Sequence, residues 1–103
     1  MASVGHAWQL VCGGKVLGTL TYRTVDQPFF HCHFSPTADF AEVAPLYAAE
    51  LESLNTGRMD RWEQDYEKIL ALGLKLIPVE PDTSPPIEEF LLHVDGDTAW
   101  FRC

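Results

Sequence analysis

Two kinds of segment are missing from this chain of 103 residues. No stretch approaches the ~18 consecutive apolar residues of a membrane span. Residues 1–15 also lack the charged-then-apolar order of a secretory signal, so the expectation is a cytoplasmic domain that enters no membrane. Positive charge is scarce as well: 7 Lys and Arg stand against 15 Asp and Glu, a net charge of −8. Such a surface repels phosphate backbones and argues against nucleic acid as a partner. Cysteine is sparse too. Cys12, Cys32 and Cys103 are separated by 19 and 70 residues, spacings that fit no zinc or redox framework, and an odd number argues against a disulfide scaffold. They read as small hydrophobes in a reducing compartment.

What is present suffices for a core. The apolar share of 47% and aromatic share of 12% exclude disorder, and the length matches one domain of ~100–150 residues. Gly13-Gly14 lies between two β-forming runs, a hairpin signal because the tight primed turns need positive φ. Asp26-Gln27-Pro28 ends the second run, and the alternating Phe29-Phe30-His31-Cys32-His33-Phe34 follows as a third strand. From Ser35-Pro36-Thr37 the period changes. Phe40, Val43, Ala44, Tyr47, Leu51 and Leu54 fall at spacings of three and four, one stripe of a helix that Ser or Thr could cap. Pro45 either kinks this helix or marks where a short one ends and a second starts, and the phase kept across it favours a kinked or nearly coaxial arrangement. Asn55-Thr56-Gly57 stops it. A second helix over 60–72 carries Trp62, Tyr66, Ile69 and Leu70.

Strand character returns at 74–79, where Pro78 cannot donate to a ladder and so assigns the strand to an edge. A stiff polar loop over 80–86 precedes the last two strands, 87–94 and 98–103, joined by the turn signal Asp95-Gly96-Asp97. The order β-β-β-α-α-β-β-β predicts a single α+β domain over 1–103: a largely antiparallel sheet with two helices packed on one face.

Alternation then sorts the side chains. If the helices cover Leu20, Tyr22, Phe30, Phe34, Phe90, Leu92 and Val94, the opposite face carries Thr19, Thr21, Arg23, His31, His33 and His93. The final arm adds either Trp100 with Arg102 or Phe101 with Cys103. Phe101 is the better core residue, so Trp100 and Arg102 are assigned outside. An antiparallel sheet with one wet face is ordinary, but three histidines with Arg and Trp form a surface that suits a protein contact. Charge is uneven too: residues 1–35 carry +1, residues 36–73 carry −5 and residues 74–103 carry −4. Acidic helices and C-terminal strands either solubilise the domain or dock a basic partner.

His31 and His33, two apart on one strand, lie ~6.6 Å apart on the same side and could share zinc or a similar divalent metal if a third ligand converged. His93 supplies that ligand only if its strand lies beside 29–34. Cys32 sits between two histidines, yet alternation turns it away from them, so the adjacency makes no nucleophile–base pair. Glu88 and Glu89 likewise point apart, while Glu63 and Glu67 share an exposed helix face. No motif specifies a reaction, and the reading leans away from an enzyme.

Trp8-Gln9-Leu10-Val11, Asp26-Gln27-Pro28-Phe29, Trp62-Glu63, Gly73-Leu74-Lys75-Leu76, the segment 90–97 and Ala99-Trp100-Phe101-Arg102 together give a further pointer. In these segments the chain resembles a family of small, uncharacterised single-domain bacterial proteins, over nearly its whole length. The resemblance implies one domain and carries no activity, cofactor or residue role. The functional expectation is a small acidic non-enzymatic module that binds another protein, one with basic character, as an adaptor, accessory subunit or immunity-type inhibitor. A homodimer through the open sheet face is a variant of that reading. The alternative is a metal or small-ligand binder using His31, His33 and His93.

Overall fold

A computed structural model describes residues 6–79 and 85–103. Three strands come first: β1 (Ala7–Cys12), β2 (Lys15–Asp26) and β3 (Phe29–Pro36). A short 3-10 helix (Ala38–Glu42) and two α-helices follow, α1 (Ala44–Asn55) and α2 (Met59–Leu70). Then come β4 (Lys75–Pro78), β5 (Leu91–Asp95) and β6 (Thr98–Arg102). The strands form one antiparallel sheet, a half-barrel in the order β4-β1-β2-β3-β6-β5. This is the expected α+β architecture. Among the described residues no helix is long and apolar enough to cross a membrane.

Turn chemistry fixes the hairpins. Gly13 and Gly14 adopt φ of 56° and 85° between the paired Cys12 and Lys15, a geometry any Cβ would strain. The β5–β6 turn is Gly96-Asp97. β4 lies at one edge of the sheet, where the missing amide of Pro78 interrupts no inner ladder.

Pairing partners share a face. Trp8, Leu20 and Phe34 form one row, and Phe30, Phe101 and Leu92 form another; Cys32, Ala99 and Val94 complete the inner face. Leu20, Phe34, Leu92 and Phe101 are sealed there beneath Tyr47 of α1 and Tyr66 and Ile69 of α2. Phe101 is fully buried, which settles the β6 register with Trp100 and Arg102 on the outer side. Gly18 makes room for Phe34: a Cβ at that position would sit 2.5 Å from the ring. Gly18→Ala is therefore expected to lose about 1–3 kcal/mol of stability in urea denaturation, the usual cost of overpacking.

Four local expectations change. The helix expected to kink at Pro45 is instead two helices, with Pro45 in the first turn of α1. There its missing N–H costs nothing, because first-turn amides have no intrahelical partner. Thr37 flanks the 3-10 helix without capping it; its hydroxyl donates to the Val16 carbonyl at 2.6 Å and ties the helix to β2. The strand expected over 87–94 begins only at Leu91. Ile87 instead exchanges two backbone hydrogen bonds with Leu76 on the free side of β4. Since Leu91 of β5 follows four residues later, Ile87 on the edge of β4 lies within ~14 Å of β5, the reach of four extended residues. The expected loop over 80–86 falls mostly outside the described residues. Finally, the α2 stripe includes Asp65, while Leu70 is 62% exposed.

Candidate functional site

The outer sheet face is assembled by register. His31 pairs with Trp100 across β3 and β6, and Trp100 pairs with His93 across β6 and β5, a single row of three rings. His31 and Trp100 stack with centroids 6.2 Å apart and planes 14° from parallel, and both are half-buried. Arg102 follows at the exposed end of β6. A register shift between Tyr22 and Thr24 leaves Arg23 without a partner across β3. Such a bulge re-aims a side chain, and Arg23 joins His31, His33, Thr98 and Asp97 around a shallow depression of about 300 Å³. Arg23, His31, His33 and Trp100 thus form one surface, with Arg102 at its margin. Cys32 faces the core beside Ala99, and burial pushes its thiol up to about 12.

His93 does not join that open surface. Alternation does assign it to the row of His31 and Trp100, but β5 is the last strand and α1 packs along it. Glu50 of α1 accepts hydrogen bonds from His93 Nδ1 and from the Trp62 indole, the latter at 3.0 Å. Glu50 is 0% and His93 3% exposed. The condition for a third metal ligand is not met either. β6 lies between β3 and β5, so Trp100 occupies the space between His31 and His93. Among the described residues, no group of three His, Cys, Asp or Glu side chains is placed to hold a metal ion.

A second polar pair supports the first. Ser53, one turn after Glu50, donates to Asp65 Oδ2 at 2.6 Å, joining α1 to α2. Tyr66 accepts the Leu92 amide at 2.9 Å and so covers a donor on the free edge of β5. Burial pushes the Tyr66 hydroxyl up to about 12, against the lowering effect of that bond. The hydroxyl of Tyr47, also raised by burial and then by Tyr66 and Glu50, has no hydrogen-bond partner among the described residues, nor does Glu50 Oε2. These polar groups face one another inside the molecule. They can fix the helix layer to the last strand; the stacked and cationic groups outside can meet another molecule.

The signal for Glu50 was present but easily discounted: it lies three residues after Tyr47 and three before Ser53, on the buried side of α1. Comparisons add nothing to this geometry, since no protein-family model, curated protein or solved structure matches the chain.

Proposed function

We propose that this chain is a non-enzymatic protein-binding module of the adaptor, accessory-subunit or inhibitor kind, and that it meets its partner through the outer face of β3 and β6. The observation that carries the reading is the stacked, half-buried His31–Trp100 pair with Arg23, His33 and Arg102 around it. Trp and Arg are enriched at interface hot spots: Trp buries a large apolar area, and the planar guanidinium of Arg pairs carboxylates through two hydrogen bonds at once. Trp100 is already held by its stack, so binding orders it at small cost. The buried polar set, by contrast, is turned inward: Glu50 holds His93 and Trp62, and Ser53 holds Asp65.

Trp100→Ala is expected to weaken the complex by about tenfold or more, the loss typical of a central aromatic anchor. The check is a titration of the partner captured from native lysate against wild type, Trp100→Ala and Glu63→Gln, the last being an exposed residue of α2. Equal affinity for all three excludes the outer face. Sedimentation that shows a dimer lost in Trp100→Ala identifies the partner as a second copy. Heat on titration with zinc would instead favour the metal reading through His31 and His33.

A further inference from the structure

A groove of about 500 Å³ runs between α1 and the β5–β6 turn. Its deep residues are apolar: Tyr47 and Val94 are buried, and Phe40 and Leu51 half-buried. Its exposed residues include two carboxylates, Glu52 from α1 and Asp95 from the end of β5. Ala44 and Ala48, with short side chains, keep the α1 wall low. Among the described residues, no basic one lines it. The volume lies within the ~300–1,000 Å³ of sites that take a small ligand or a few side chains.

We propose that this groove docks a basic segment of a partner protein, an Arg or Lys flanked by apolar residues. The aliphatic stem lies over Phe40, Tyr47, Leu51 and Val94, and the cationic head sits between Glu52 and Asp95. Long cationic side chains favour this arrangement, since they bury their methylenes while the charge stays at the water boundary. Charge complementarity selects this occupant. The groove walls come from the two stretches that carry net charges of −5 and −4, whereas residues 1–35 carry +1. Their field steers a basic partner toward this end of the molecule and repels an acidic one. The inference does not rest on the outer-face reading: it uses another surface and opposite charge.

The test is amide chemical-shift mapping on the full chain with a capped peptide of alternating Arg and Leu, compared with capped Glu–Leu and Lys–Gly peptides. The expected result is saturable shifts confined to residues 40–55 and 94–96 with the Arg–Leu peptide alone. Binding should weaken about tenfold in ~0.5 M salt, which shortens the screening length to a few ångströms. Glu52→Gln with Asp95→Asn should weaken it at least fivefold with the spectrum otherwise preserved, while Glu63→Gln leaves it unchanged. Shifts spread over the exposed acids of α2 without saturation would overturn the proposal, as would equal binding of the Lys–Gly peptide. So would no binding of the Arg–Leu peptide, or concentration-dependent shifts without peptide, which would make a second copy the occupant.

Discussion

Glu50→Ala is expected to lower folding stability by about 3–5 kcal/mol, because two donors each lose their acceptor at about 1–3 kcal/mol apiece and the cavity left behind adds to that loss. The substitution leaves the buried His93 Nδ1 and the indole of the half-buried Trp62 without their shared acceptor. It also leaves a cavity where α1, α2 and β5 meet, so the contacts holding the helices to the last strand loosen together. Domains of this size have only ~5–15 kcal/mol in total, so the variant is expected to lie near its unfolding threshold. Urea denaturation of Glu50→Ala, Glu50→Gln and Glu52→Ala measures the effect. Glutamine keeps one oxygen for the two donors and should lose less. Glu52 is exposed two positions away, so its replacement should change stability by no more than about 0.5 kcal/mol. A loss below about 1 kcal/mol in Glu50→Ala would mean that the cluster does not anchor the helices.

High pH is expected to unfold the domain cooperatively between pH 9 and 12. Burial raises Cys32 from 9.0 to about 12 and Tyr66 from 10.0 to about 12, and holds Tyr47 well above 10.0. All three are acids whose neutral form the fold protects. The unfolded chain therefore releases their protons first, and stability that is complete below pH 9 falls as pH rises. Each group contributes at most about 1.4 kcal/mol per pH unit between its unfolded and folded values. Acting together above pH 10, the three approach ~4 kcal/mol per unit, enough to exhaust an ordinary stability within two units. Circular dichroism and tyrosinate absorbance followed together give the check: Tyr47 and Tyr66 should ionise only as secondary structure is lost. Tyr66→Phe removes one of the three and should flatten the slope. At neutral pH the same variant costs about 1–3 kcal/mol, because the Leu92 amide loses its acceptor. Ionisation of every tyrosine near pH 10 in an intact fold would contradict the burial.

The two surfaces and the buried cluster differ in how they could be recognised. The sorting of His31 and His33 from Cys32 was legible, because successive side chains on a strand point to opposite faces whatever surrounds them. Pro78 as an edge residue and Gly13-Gly14 as a turn were legible on similar grounds, a missing amide and a positive φ. The fate of His93 was not. Alternation puts it on one face with Trp100, yet that face is covered at β5, and coverage depends on Glu50 of α1, 43 residues earlier. Glu50 was hidden by its type: a carboxylate on an amphipathic helix is normally assigned to water. What reverses that assignment is a pair of donors on β5 and α2 that only the packed molecule brings within reach.

By itself, then, the sequence determined the order of the elements, the turns and the two faces of the sheet. All of these follow from dihedral preferences and periodicity acting over a few residues. Tertiary structure alone decided that β6 separates β3 from β5, so that Trp100 lies between His31 and His93. It also decided that α1 closes over the last strand, sealing His93 against Glu50 and opening the groove beside Asp95. Those outcomes come from competition among long-range packings for the same buried surface, and no local pattern records which packing wins.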